Sequence, residues 1–320
     1  MAMKNPLLAL MLVGGIFFTN EALAREGTSL GISPAVFEIT ANPGDTVENV
    51  LRVNNPTESV IDVKMTVEDI KTSGDEGEVI VAAPGSETYS ISNWVKCDPE
   101  NFQLNPGEEK TINFTINVPQ NVEPGGHYGG IVAGPSAVAS PNKTGTAVVI
   151  RLTSVILVTI PGEMKEEISV KEFYSQSRDK KQDQEAYVNT NFFQYAPIGF
   201  AAKFENKGTV HLKPGATITV TNWFGQKVAQ VPFPSQNVLP GATRIIHTEW
   251  NKDAGFLFGM YTATLTGGFG TYNTPLTSKS ITFWVLPARE ILIGLAVIIF
   301  FVLTRKRWGA AFKIIFTGKH

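Results

Sequence analysis

Four histidines, one cysteine and a few neighbouring acid pairs are the residues that could do chemistry in this chain. His127, His211, His247 and His320 show no H-x-x-x-H or H-E-x-x-H spacing, and a single cysteine cannot build a zinc ribbon, so no metal site is expected. No G-x-S-x-G elbow, P-loop or dinucleotide fingerprint occurs, so no catalytic residue and no cofactor is assigned. Glu68 with Asp69 and Glu108 with Glu109 are adjacent acids. On a strand such neighbours point to opposite faces and cannot flank one bond. Gly267-Gly268-Phe269-Gly270 reads as a loose hairpin between strands. Cys97 reads as a small buried hydrophobe. Without a second cysteine no intramolecular disulfide forms, which points an exported chain of this length toward a bacterium or archaeon. The net charge is −2, with no basic run outside the C-terminal tail, and this excludes nucleic acid as a partner.

Binding is the remaining chemistry, and aromatic residues at polar positions are its markers. Trp223 and Phe224 lie in Asn222-Trp223-Phe224-Gly225, at a hairpin tip. Phe192, Phe193 and Tyr195 stand just before the second of two domains. His127 and Tyr128 lie in a G-G-H-Y-G-G loop whose glycines permit close backbone approach. Tyr128 is expected to enter the core, as Tyr261 does in a second copy of the pattern, and His127 to alternate outward. Flat rings suit sugars, protein hot spots or lipid headgroups, or they pack between domains. The ligand-binding candidates are Trp223, Phe224, His127, Phe193 and Tyr195.

The elements that must position these residues are strands. Val60–Val67, Thr111–Val118 and Ala216–Thr221 alternate branched or aromatic residues with polar ones, as half-buried antiparallel strands do. Pro-Gly pairs at 43–44, 106–107, 124–125, 161–162, 214–215 and 240–241 predict type II turns. A weak internal repeat runs from Val53-Asn54-Asn55-Pro56-Thr57 through Leu104-Asn105-Pro106-Gly107 to Gly126-His127-Tyr128. Its second copy runs from Phe204-Glu205-Asn206-Lys207-Gly208 through Leu239-Pro240-Gly241 to Gly259-Met260-Tyr261. The prediction is an all-β chain of two tandem Ig-like antiparallel β-sandwiches, residues 25–160 and 161–286. The apolar run Ala147–Ile160 closes the first, and the charged stretch Ser175–Glu185 is a solvated loop of the second.

Both ends carry targeting signals. Lys4, an apolar run from Leu7 to Phe18 and Ala22-Leu23-Ala24 predict a signal peptide, residues 1–24, cleaved between Ala24 and Arg25. Near the C-terminus an apolar run predicts a single transmembrane helix, residues 287–304, starting at Pro287 and flanked by Trp284, Arg289, Arg305, Lys306 and Arg307. The basic tail, residues 305–320, would be cytoplasmic, with the ectodomain outside. Membrane is thus one expected partner.

The stretch Ile32-Ser33-Pro34-Ala35-Val36-Phe37-Glu38 followed by Asn42-Pro43-Gly44-Asp45 resembles the opening of WxL-interacting bacterial surface proteins, as does the overall plan of the chain. Phe102–Gly107 and Pro124–Tyr128 look like the wider group of Ig-like accessory domains. The resemblance implies cell-wall adhesion, with no binding residue carried across. The expected function is therefore a membrane-anchored, non-enzymatic adhesion protein for cell-wall polymer or a surface protein. Two alternatives stand beside it: a structural or assembly subunit of an envelope complex, and an accessory to or member of an extracellular hydrolase group.

Overall fold

Period-two alternation becomes strand because one face can be buried while every backbone group is paired sideways. In Glu109–Asn117 the buried positions are Ile112, Phe114 and Ile116, and the polar residues between them face outward. The computed structural model describes residues 30–136, 150–179, 186–251 and 257–317. The predicted signal peptide with Ala24 and Arg25, the start of the apolar run at Ala147, residues 180–185 of the charged stretch and the last residues of the tail lie outside the described residues.

The first sandwich contains β1 (Gly31–Ser33), β2 (Val36–Thr40), β3 (Thr46–Asn54), β4 (Ile61–Ser73), β5 (Glu78–Ala82), β6 (Val95–Asp98), β7 (Asn101–Leu104), β8 (Glu109–Asn117), β9 (Gly125–Pro135) and β10 (Leu152–Ile160). One sheet runs β1-β3-β8-β6; the other runs β2-β10-β9-β4-β5, with β7 also on β4. The second sandwich contains β11 (Ile168–Asp179), β12 (Ala186–Asn189), β13 (Phe192–Phe193), β14 (Ile198–Asn206), β15 (Gly215–Asn222), β16 (Lys227–Phe233), β17 (Thr243–Trp250), β18 (Gly259–Phe269), β19 (Thr274–Pro275) and β20 (Lys279–Val285). Its sheets run β12-β11-β14-β17 and β13-β20-β18-β15-β16, with β19 on β18.

The internal repeat has a structural counterpart. In each copy the strand leading into the asparagine turn pairs with the strand leaving the L-x-P-G or L-P-G turn, β3 with β8 and β14 with β17. The strand holding the G-x-Y signature pairs with the last strand, β9 with β10 and β18 with β20. A short strand joins that last strand in parallel, β2 on β10 and β13 on β20. Each sandwich has its own core, with Leu51, Phe114, Ile131 and Ile156 in the first and Phe200, Phe204, Ile218 and Phe283 in the second.

Several expectations need correction. Ser175–Asp179 is the end of β11 and not a solvated loop; Ser175 and Gln176 are buried because β12 and β14 flank this part of the strand. Phe192 and Phe193 therefore sit within the second sandwich, after its first two strands. Gly267 and Gly268 lie in β18 and not in a hairpin loop, since a Cβ on Gly267 would come within 2.1 Å of the Gly215 carbonyl oxygen on β15. Of the six Pro-Gly glycines, Gly215 alone keeps an ordinary φ; it is the first residue of β15 and pairs with β18.

The C-terminal expectation also changes. A single helix, α1 (Ala288–Thr317), follows β20, and Pro287 stands just before it, its carbonyl accepting the Ile291 amide at 3.1 Å. No helix among the described residues is long and apolar enough to cross a membrane. The physical reason is the charge spacing. Between Glu290 and Arg305 the uncharged stretch rises only about 20 Å, against the ~30 Å of a hydrocarbon core. The single span, the membrane as partner and the outside-to-cytoplasm topology fall with it. Trp284 belongs to β20, its amide bonded to the Asn191 carbonyl, and not to a membrane interface. Arg305, Lys306 and Arg307 continue the helix and begin no separate tail; the side chains of Lys306 and Arg307 lie outside the described residues.

Candidate functional site

Strand β4 is long and changes neighbours midway. Val63–Glu68 pair with β9, while Asp69–Ser73 pair with β5. Beyond Glu68 the place beside β9 is taken by Tyr89–Ile91. The Tyr128 amide donates to the Tyr89 carbonyl at 2.8 Å, and the Ile91 amide to the Tyr128 carbonyl at 3.1 Å. Gly129 permits this approach, since a Cβ there would lie 2.6 Å from Cγ1 of Ile91. The close approach that the glycines of the G-G-H-Y-G-G segment allow is thus used by the chain itself. Wedged apart from β9, the second half of β4 and all of β5 form a two-stranded arm.

Buried Asp69 fastens the root of the arm. Its carboxylate accepts the Ser90 hydroxyl and, at 2.9 Å, the Glu87 amide. Burial by itself would push this carboxyl up, but the bonds from Ser90, Glu87, Ser92 and Gly85 together hold it below the usual carboxylate value.

The tip of the arm reaches the second sandwich. Asp75 accepts Lys203 Nζ at 2.6 Å and the Thr243 hydroxyl, and its carbonyl accepts the Ile245 amide of β17, also at 2.6 Å. Hydrogen bonding from Lys203, then Thr243, holds the Asp75 carboxyl low, and the same Asp75 bond raises Lys203. Glu76 Oε2 lies 3.1 Å from His247 Nε2, while Gln176 Nε2 lies 2.7 Å from His247 Nδ1 and the Tyr187 ring stacks on the imidazole at 4.8 Å. Gly77, with φ of +73°, turns the chain against Arg244. A second contact lies at Glu38 of β2, which pairs with Lys213 and accepts the Asn237 amide at 2.7 Å. Burial pushes Glu38 up, but the Lys213 and Asn237 bonds outweigh it and leave it low. The first sandwich supplies acids at both contacts, and the second supplies cations and amides.

Between these contacts lies a small apolar cluster of Ile70, Tyr128 and Leu157, with Leu239 of the second sandwich against it. A cavity of about 230 Å³ opens beside it, lined by Ile70, Tyr89, Tyr128, Leu239 and Pro240. The Tyr128 ring meets His211 edge-on at 5.8 Å; burial pushes the Tyr128 hydroxyl up and the His211 imidazole down.

The arm leaves one edge open. Among the described residues no strand pairs with the outer side of β5. Val79, Ile80 and Val81 there are 37%, 40% and 36% exposed. Other edges are short or carry polar and proline residues: β1 and β13 are only three and two residues long, and β16 holds Lys227, Gln230 and Pro232. β17 is covered by the arm itself. An exposed run of branched apolar residues on an unpaired edge is a template for another strand. Sequence reasoning missed this edge, although Val79-Ile80-Val81 was legible as an apolar triplet between Gly77 and Pro84.

Of the residues singled out from the sequence, Phe193 and Tyr195 line one open cavity with Phe192, while Trp223 with Phe224 and His127 lie elsewhere. Trp223 and Phe224 sit at the β15–β16 tip, 59% and 74% exposed, with their rings 5.0 Å apart. Tyr195 is half exposed and donates its hydroxyl to Glu290 of α1 at 2.8 Å. Phe192 is exposed, but its neighbour Phe193 is buried edge-on against Phe283, so Phe193 is a core residue and not a surface one. His127 is buried too, against Trp94 and Tyr89, with Nε2 3.0 Å from the Glu123 carbonyl. Its expected outward turn does not leave it exposed, because the Trp94 and Tyr89 side chains cover that face of β9. Cys97 is buried, and burial pushes its thiol up to about 12. Among the described residues no three His, Cys, Asp or Glu side chains are grouped to hold a metal.

No protein-family model and no curated protein matches the chain. Among solved structures, a chaperone–tip adhesin complex of CFA/I fimbriae is 12% identical over 82% of this chain and 100% of that one, at a TM-score of 0.38. The class 5 fimbriae chaperone CfaA is 13% identical over 81% of this chain and all of its own, at 0.36. The E. coli chaperone DraB is 12% identical over 79% of this chain and 96% of its own, also at 0.36. Scores this low carry no argument about function, and the two-sandwich architecture rests on the strand pairing itself. The expected membership among WxL-interacting proteins, and the cell-wall partner it implied, are corrected: no family model or curated protein matches, and the similar solved structures are those of other proteins. The motifs behind that resemblance are turn and core motifs, which unrelated sandwiches share.

Proposed function

We propose that this chain is a non-catalytic assembly protein that holds a protein subunit by pairing with the outer edge of β5. The carrying observation is that edge, with three exposed branched residues and unpaired backbone on an arm anchored at root and tip. An edge strand offers backbone hydrogen bonds for affinity and alternate side-chain positions for selectivity, and needs no chemistry. The signal peptide expected at residues 1–24 is consistent with a role after export. The exposed pair Trp223 and Phe224 supplies a second contact surface for the same kind of partner.

The test compares co-purification by tagged full-length chain with that by a Val79→Lys/Val81→Lys variant, from extracts of the source organism. Lysines on an edge keep the fold and repel a pairing strand. Wild-type chain is expected to retain a defined subunit that the variant loses at unchanged thermal stability. Equal retention by both would remove the edge from the account.

A further inference from the structure

We propose that the polar contacts joining the two sandwiches form a releasable latch, which sets whether the pair moves as one body and whether the Ile70–Tyr128–Leu239 cluster is covered. The proposal extends the reading of β5 as a binding edge, because that edge belongs to the latched arm. The latch itself stands on the geometry of the junction alone.

Three features carry it. The contacts are one-sided in charge: the carboxylates of Asp75, Glu76 and Glu38 come from the first sandwich, and the cations Lys203 and Lys213, with the His247 imidazole, from the second. They are also partly exposed, with Asp75 at 45%, Glu76 at 57% and Lys213 at 44% of their side-chain surface. Solvent-exposed ion pairs are individually weak and are screened by salt. Finally, the apolar cluster beneath the latch is small, so the junction depends on polar bonds, the charged pairs together with the Ile245–Asp75 and Gly126–Thr209 backbone bonds.

Salt and acid should therefore both release it. The tip also faces Glu172 and Tyr174 on β11 and Arg244 on β17. The Glu38 contact faces His211 as well. The carboxyls of Asp75 and Glu38 are lowered in the latched state. Latching is then favoured above their free values and lost as pH falls through the lowered ones.

The experiment is a spin-label distance measurement on the full chain between Asn113→Cys and Thr282→Cys, both exposed, with Cys97→Ser. A narrow distribution is expected at low salt and neutral pH. It should broaden at about 1 M salt, where the screening length is about 3 Å, and in the Glu38→Gln/Asp75→Asn/Glu76→Gln variant. The exchange Asp75→Lys/Lys203→Asp should be narrower than either single reversal. Distributions equally narrow in high salt and in the triple variant would overturn the latch. Salt titration of the chain without these substitutions decides the matter if the triple variant misfolds. No partner is needed, so failure here is separable from failure of the β5 edge to bind.

Discussion

Asn55 and Asn206 are fully buried amides that do the same work in the two sandwiches. Asn55 donates to the Ser59 carbonyl at 2.7 Å and accepts the Thr57 amide at 3.0 Å; Asn206 donates to the Val210 and Val238 carbonyls at 2.9 and 2.8 Å and accepts the Gly208 amide at 2.8 Å. The backbone of each also pairs with the Pro-Gly turn that follows it in the repeat, through Gly107 and Gly241. Replacing either by alanine leaves buried carbonyls without a donor, so each variant should lose about 1–3 kcal/mol in urea unfolding. Asp69 is the acidic counterpart. Its folded carboxyl sits below the unfolded value, so its stabilisation is complete above the unfolded pKa and disappears as pH falls through the folded one. Asp69→Asn should be less stable at neutral pH. It should also lack part of the acid-side slope that the wild type shows below about pH 4. Thermal melts across that range check both. The asparagine turn was visible in the sequence as a repeated motif. Its buried role was not, because a polar residue at a strand end reads as solvated until the second loop is placed beside it.

At the scale of elements, the arm departs furthest from the sequence reading. The alternation in Val60–Val67 predicted a strand, and β4 is that strand. That β4 continues to Ser73 and leaves its sheet could not be read from it, since the cause is the distant segment Tyr89–Ile91 taking the place beside β9. Tyr89 of the same insertion, with Trp94, covers His127, which strand period alone had turned outward. Gly77 should report on the tip. With φ at +73°, alanine there is strained by about 1 kcal/mol and also crowds Arg244. Gly77→Ala is expected to raise amide exchange at Ile245, whose amide bonds Asp75 across the junction, while exchange in β3 and β8 stays unchanged. Equal exchange at Ile245 in both proteins would show that the tip does not depend on this turn. Helix α1 shows the reverse case. Its apolar run was legible, and the spacing of Glu290 and Arg305 limits what that run can span.

For the whole molecule, the two-sandwich plan was largely legible, because alternation, Pro-Gly turns and the repeat are all local signals. How the sandwiches meet was not, since Glu38, Asp75, Glu76, Lys203, Lys213 and His247 come from six separate stretches of chain. At low salt the two halves should unfold in one calorimetric transition, and in high salt in two, if the junction couples them. Most of the residues proposed from aromatic character lie far apart, so no single pocket gathers them; the open edge of β5 is where local sequence and global topology agree on a surface left unfinished. The most direct test of that claim places a photo-crosslinking residue in turn at Glu78, Val79, Ile80, Val81 and Ala82 of the full chain in its native cells, with Asn113 on the far sheet as control. If the edge of β5 binds a strand, one protein partner is captured from successive β5 positions, at contact sites that advance along the partner in extended register, and none at Asn113. Capture at Asn113 with β5 silent, or at scattered partner sites with no register, would contradict it.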